Sequence, residues 1–324
     1  MSMSSALVVQ NKGGGHGELG YHLALDLAAR GIDVTLLQDS AANKSKEPFA
    51  SYGDLEAKGV KVEWGDLAAG VGSALPDGPF DYVFDNFAKD VATCSDLAGK
   101  AKEWGVKNYV YVSSAGMYKD SDEVPLVETC EAKETGQRTV EKHAESLGLP
   151  WTSFRPQYIY GPKTNKRDYL DYFFDRVVWK MRPLPVPVHG DQFVSITHAA
   201  DVASMLASVV GNDKAPGQVF NCGSDRYITY NELVRQVAKV TGAEEDIEKN
   251  YYDPADFDLK KGWFPFRNNH FFVSSDKAQS LLGWKPKHNL LEDLKWYYEG
   301  YKAAGKEENA PDFTQVDGLR VKIG

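Results

Sequence analysis

The segment that most narrows the possible folds lies at the start of the chain. A short apolar run, Ala6 to Val9, leads through Gln10, Asn11 and Lys12 into Gly13-Gly14-Gly15-His16-Gly17-Glu18-Leu19-Gly20, and Gly17 opens a helix reaching Arg30. A strand passing through glycines into a helix lets backbone N–H groups reach an anion at the helix N-terminus, and it also lets helix and strand pack closely. Both readings of Gly14, Gly17 and Gly20 stand: a cradle for the diphosphate of a dinucleotide, or close packing alone. Leu19, Leu23 and Leu27 fall on one stripe, and Gly31 suits the C-terminal cap. Further strands are expected at 33–37, 60–64, 82–84 and 109–112, with a helix at 92–104. Repeated strand–helix units build a doubly wound parallel α/β sheet. Where an acidic residue at the end of the second strand would hold an adenosine ribose, the register places Gln38, then Asp39; Asp66 after the third strand suits an adenine-side contact.

Two later motifs mark where chemistry would sit on such a sheet. Val112-Ser113-Ser114-Ala115-Gly116-Met117-Tyr118 follows a strand, and Arg155-Pro156 precedes Tyr160-Gly161-Pro162. Hydride transfer on this scaffold needs a Tyr and a Lys one turn apart on the helix between these motifs. A free tyrosine has a pKa of about 10. An ammonium four residues on faces the same side and favours the phenolate, which then exchanges a proton with a substrate hydroxyl. The helix ending in Val140-Glu141-Lys142 carries Lys133 and Gln137 at those positions, and no tyrosine occurs between Tyr118 and Tyr158. An ammonium and an amide cannot replace the phenolate. Ser114 is retained without its partner and reads as a strand-end cap, so no catalytic residue is assigned.

Charge is unevenly distributed. Residues 1–150 hold 23 acidic and 14 basic side chains, whereas residues 151–324 hold 23 of each, so the whole net charge of −9 sits in the front half. An anionic partner should therefore meet the back half. Three widely spaced cysteines, Cys94, Cys130 and Cys222, form no metal-ligand pattern and suit a reducing compartment. No apolar run approaches the length of a membrane span. The opening Met1-Ser2-Met3-Ser4-Ser5 is too short for a signal or transit peptide, leaving a natively cytosolic chain or a mature form. Three units are expected: a Rossmann-type nucleotide-binding core over 1–157, a smaller lobe over 158–301 with strands and helices returning to the core, and a polar, weakly packed tail over 302–324. Pro183 to Pro187 reads as a stiff connector.

Two stretches of the back half mix cations with rings. Lys163, Lys166, Arg167, Arg176, Lys180 and Arg182 alternate with Tyr169, Tyr172, Phe173, Phe174 and Trp179; Lys260, Lys261, Arg267, Lys277, Lys285 and Lys287 accompany Trp263, Phe264, Phe266, Phe271, Phe272 and Trp284. Cations neutralise phosphates and exposed rings stack on unpaired bases, whereas the plain alternative is core rings beside solvated lysines. His198 and Asp201 read as capping and lobe-packing residues, and the other histidines as scattered, with no metal site.

The glycine pattern, the Tyr111–Tyr118 motif, Arg155-Pro156 with Tyr160-Gly161-Pro162, Phe220-Asn221-Cys222-Gly223 and Leu281-Leu282-Gly283-Trp284-Lys285-Pro286 together resemble the extended and atypical short-chain dehydrogenase/reductase superfamily over residues 6–301. More narrowly, Gly14-Gly15-His16 with Gly20, Phe154-Arg155-Pro156-Gln157-Tyr158, Phe220 to Arg226 and Phe266-Arg267-Asn268-Asn269-His270-Phe271 resemble the chloroplast stem-loop-binding proteins. That resemblance implies a Rossmann-type sheet with a smaller C-terminal lobe, a mature protein of the chloroplast stroma, and binding or cleavage of stem-loop RNA, including ribosomal RNA. It further implies association with ribosomes or transcription complexes, and oligomers of the chain itself or with a paralogue. Mg²⁺ would assist any cleavage, and NAD(P) is the cofactor the scaffold suggests. Expected RNA contacts are Lys163, Lys166, Arg167, Lys260, Lys261 and Arg267; expected cofactor contacts are Gly14, Gly17, Gly20, Gln38 and Asp66. The competing readings are an NAD(P)-dependent nucleotide-sugar epimerase or reductase, and a non-catalytic scaffold subunit.

Overall fold

The computed structural model describes residues 3–10, 17–68, 70–164, 168–244, 246–259 and 262–313. Seven strands form one parallel sheet: β1 (Ser5–Gln10), β2 (Asp33–Asp39), β3 (Lys61–Gly65), β4 (Tyr82–Asn86), β5 (Asn108–Val112), β6 (Trp151–Pro156) and β7 (Gln218–Cys222). Their spatial order is β7-β6-β5-β4-β1-β2-β3. The order reverses between β1 and β4, so the crevice at the strands' C-terminal ends opens there. Both faces of the sheet are covered, which is why the strands are apolar on alternate and intervening positions alike.

On one face, Ala6, Val8, Leu36 and Phe84 pack against Leu19, Leu23 and Leu27 of α1 (Gly17–Ala29) and Val202 and Leu206 of α6 (Ala199–Ala207). On the other, Leu7, Val9 and Val83 meet Leu97 and Ala101 of α3 (Val91–Trp104) and Val140 and Ala144 of α4 (Gly136–Ser146). Gly31 has φ +76°, and the Ile32 N–H returns to the Leu27 carbonyl, ending α1 as expected. The back half does not stand apart from the sheet: α6 lies on α1, and β7 pairs with β6 in parallel register, Phe220 beside Phe154.

The smaller lobe has its own core. Phe173, Phe174, Leu184, Val186, Tyr230, Leu233 and Leu294 pack together, drawn from α5 (Asp171–Val178), α7 (Tyr230–Thr241), α9 (Leu290–Ala303) and a strand. That strand, Leu184–Pro187, pairs in parallel with Lys249–Tyr252, so Pro183 to Pro187 is not a free connector. Prolines 185 and 187 lack donors, but the Leu184 and Val188 N–H groups still bond to Glu248 and Tyr252. The described start of the tail is also held more firmly than its polarity suggested. Lys306 pairs with Asp171 at 2.8 Å, and the Lys306 carbonyl accepts from Trp179. No described helix is long and apolar enough to cross a membrane.

Candidate functional site

The crevice has an adenine side, formed by the ends of β1 to β3, and a reacting side, formed by β5, the segment before α4 and the lobe. On the adenine side, a Cβ on Gly20 would lie 2.1 Å from Oε1 of Gln10, an oxygen that accepts a hydrogen bond from Asn86 at 2.7 Å. A side chain at position 20 would have to displace the end of the Gln10 side chain and its bond to Asn86. Gly17 is the first residue of α1; Gly14 lies outside the described residues. Gln38 is fully buried, and its Oε1 accepts from the Tyr52 hydroxyl at 2.7 Å. That oxygen is therefore committed to the protein rather than turned to a ribose. Asp39 caps its own turn, accepting from Ala41 N–H. Asp66 is exposed; one carboxylate oxygen accepts from Ala68 N–H at 3.0 Å, leaving the other for a ligand.

Three features define the reacting side. First, α4 starts at Gly136, with the Thr135 hydroxyl accepting from Arg138 N–H, so Lys133 precedes the helix. Lys133 is exposed and gives its N–H to Met117 O, while Gln137, in the first turn, is half-buried. The helix therefore begins after the first of the two positions and runs on to Ser146, and its first residue, Gly136, lies against the Lys89 carbonyl, where a Cβ would be 2.2 Å away. Second, Ser114 is half-buried and caps the turn Ala115–Met117, its Oγ accepting from Gly116 N–H. Ser113 Oγ, buried beside it, has no hydrogen-bond partner among the described residues. Third, the two tyrosines bounding this stretch are engaged elsewhere. Burial pushes the Tyr118 phenol up to about 12 despite the opposing charge of Arg155, and its hydroxyl donates to Asn221. Tyr158, at φ 33°, is pushed up further, chiefly by burial, and its hydroxyl accepts from Arg267 N–H. Neither is a base at neutral pH.

Arg267 is bound to the turn that carries Gly116 and Tyr118. Its guanidinium donates to the Gly116 carbonyl at 2.7 Å, the Tyr118 carbonyl at 3.1 Å and Asp120 at 2.9 Å, and lies 3.8 Å from the Phe271 ring centroid. It is thus fixed against the turn that follows Ser114, not spread on an open basic surface. Lys163 is similarly engaged, with Ser51 at 2.6 Å and Glu47 at 3.1 Å, beside a cavity of about 980 Å³ that Lys46, Trp296 and Lys306 also line. Lys166, Arg167, Lys260 and Lys261 lie outside the described residues. Most rings of the two basic stretches turn inward: Tyr172, Phe173, Phe174 and Phe266 are buried, and Trp263 and Phe264 pack on them.

Sequence reasoning missed two groupings. The histidines are not scattered, because His22, His198 and His288 meet where α1 faces the lobe. His198, His288 and Asp293 offer ligand atoms within 4.8 Å of one another. The two rings stack face to face at 3.5 Å and 7°, so their in-plane lone pairs run parallel instead of converging on an ion. His198 does cap α6, accepting from Ala200 N–H, and burial with the neighbouring His288 lowers it to about 3. Asp201 receives the Lys287 and His288 N–H groups, tying the lobe to α6. The second grouping is a buried acid, Asp168. Burial, then the charges of Asp171 and Glu18, raises it to about 8. Glu18 belongs to the glycine-rich segment and is itself buried.

With this geometry in view, the chain belongs to the NAD dependent epimerase/dehydratase family, whose model matches residues 13–223. Within that family it groups with the chloroplast stem-loop-binding proteins. It is 33% identical over 323 residues to chloroplast stem-loop binding protein of 41 kDa b of Arabidopsis thaliana, covering 95% of this chain and 83% of that protein. Among solved structures it resembles the dTDP-glucose 4,6-dehydratase of Bacillus anthracis in complex with NAD (TM-score 0.72, 15% identity, 94% of this chain and 98% of that one). It also resembles the UDP-glucose 4-epimerase of Thermotoga maritima with UDP-glucose (TM-score 0.67, 21% identity, 93% and 100%). At these identities the structures show the fold. On the adenine side Asp66 is exposed while Gln38 is taken up by Tyr52; on the reacting side Lys133 and Gln137 stand where a Tyr and a Lys would be needed.

Proposed function

We propose that the chain is a plastid protein that binds stem-loop RNA on an epimerase/dehydratase body. The observation that carries this reading is likeness over nearly the whole chain to a stem-loop binding protein, in a molecule where Lys133 and Gln137 stand at the proton-transfer positions. The reacting side agrees, since Arg267 is held against the turn after Ser114 and, among the described residues, the tyrosines bounding that stretch are engaged elsewhere. Binding falls to the lobe and the back half, which carry none of the acidic excess; Lys285 and Lys287 are exposed there. Residence in the stroma, association with ribosomes or transcription complexes, and assembly with itself or a paralogue belong to the same reading.

Cleavage is left out of it. Among the described residues the candidate ligand group is His198, His288 and Asp293, whose stacked rings do not converge and which is rich in nitrogen where Mg²⁺ asks for oxygens. A dinucleotide held in the crevice would serve structure, with Asp66 near the adenine and no phenolate near the nicotinamide.

Gel retardation of a hairpin RNA by the full chain tests the reading. Retardation should weaken steeply between about 50 and 200 mM salt, as counterion release requires. Absence of retardation at low salt would overturn it. Family membership and the retained Ser114 favour epimerase or reductase activity as the second reading; incubation with NAD or NADP and UDP-glucose or dTDP-glucose decides between them. No turnover is expected.

A further inference from the structure

Exposed rings also stand outside the two basic-aromatic stretches, against residues of the second. The short strand Phe193–Val194 pairs antiparallel with Ile228–Thr229, and the 270–272 segment joins it from the other side: Phe271 N–H bonds to Phe193 O, and Phe193 N–H to His270 Nδ1. This lock turns rings outward. Phe193 is 41% exposed and Tyr227 39%. Phe272 lies between them, with centroids 6.1 Å from Phe193 and 4.3 Å from Tyr227, and His270 stacks on Phe193 at 5.8 Å. Arg226 is exposed beside them, and its guanidinium has no partner among the described residues. Beneath runs a groove of about 500 Å³, lined in part by Phe193, Arg226, Tyr227 and Leu291, the last 41% exposed. Contiguous exposed apolar surface of this kind marks an interaction site.

Resting on the RNA-binding reading above, we propose that Phe193, Tyr227 and Arg226 form the surface that receives unpaired bases of the stem-loop, by stacking. The local charge favours bases over the phosphate backbone. Asp225 and Asp276 lie close enough to act on the Tyr227 phenol, so the patch has no cationic excess to grip phosphates. Rings stack on any base face, and a guanidinium plane does the same. A double helix keeps its base faces inside, so the loop and not the stem should occupy these rings.

The test uses the full chain, a hairpin RNA with an unpaired loop and a blunt duplex of the same stem, read by fluorescence anisotropy. Phe193→Ala and Tyr227→Ala, both at exposed positions, should each weaken hairpin binding about tenfold, in the range of one stacked base. The salt slope should stay as in the parent, since no phosphate contact is lost, and duplex binding should not change. Phe193→Trp should retain hairpin affinity. Parent binding with undiminished affinity in both alanine variants would overturn this assignment while leaving the RNA-binding reading in place. A fall in hairpin affinity accompanied by a change in oligomeric state, seen by sedimentation, would make the patch a protein interface and overturn it too. A parent chain that retards no hairpin removes the RNA reading itself and this patch with it.

Discussion

Two buried carboxylates, one in the sheet body and one in the lobe, are held in opposite ways. Glu141 on α4 is fully enclosed. Burial alone would raise it, but hydrogen bonds and charge from Arg155, with Arg138 and Ser153 adding to them, hold it below the ordinary carboxylate range. Arg155 also donates to the Tyr118 hydroxyl, which in turn donates to Asn221 of β7, so one network ties α4, β6 and β7 together. Asp168 in the lobe has no such cation in hydrogen-bond contact among the described residues; burial raises it, and its acidic neighbours Asp171 and Glu18 raise it further. The body keeps its scaffold charge compensated even though the first turn of the same helix lacks the proton-transfer pair. Support for the fold and equipment for the reaction are therefore separable on one helix.

The largest test of that contrast is Glu141→Ala. It strands the Arg155 guanidinium in the core, and a broken buried pair costs about 3–5 kcal/mol. Denaturant unfolding should show a loss of that size, and a change below about 1 kcal/mol would mean that the network is not what joins α4 to the sheet. The pH senses are opposite as well. Glu141, depressed in the folded state, contributes stability above its unfolded pKa that is lost as pH falls through the folded value. Asp168, raised to about 8, keeps its proton where the unfolded chain has released it, so its contribution falls as pH rises from about 4 to about 8. Asp168→Asn keeps an acceptor for the Leu170 N–H without a charge to bury. It should be more stable than the parent by about 1–2 kcal/mol at pH 9, with the difference closing by pH 5. An equal pH slope in both proteins would remove Asp168 from the alkaline limb.

The smallest expected effect is the most pointed. Lys133→Tyr with Gln137→Lys restores the residue types of the missing pair, yet stability should move by less than about 1 kcal/mol, as for surface changes. Nucleotide-sugar turnover should remain absent, because position 133 precedes the helix and Arg267 lies against the turn after Ser114. Turnover by this double variant would show that only the two side chains were wanting, and would collapse the distinction between scaffold and reaction.

Much of the body was legible beforehand because its signals are local. Short apolar strand runs, the Leu19, Leu23 and Leu27 stripe and the Gly31 cap each depend on residues a few positions apart, and the missing Tyr/Lys pair is a matter of residue identity at two places. The expected strands fell within a residue or two of the observed β1 to β5. The lobe was far less legible. Nothing near Phe266 or Phe272 in sequence says which ring enters the core and which stands beside Tyr227, since that depends on a strand some eighty residues away. Likewise Arg267 looks like any surface cation until the fold brings it to Gly116, 151 residues earlier. His22, His198 and His288 become neighbours only when α1, α6 and the segment before α9 converge. Backbone periodicity and chemical identity are written residue by residue, whereas burial and partnership belong to pairs distant along the chain, so only the folded molecule settles them.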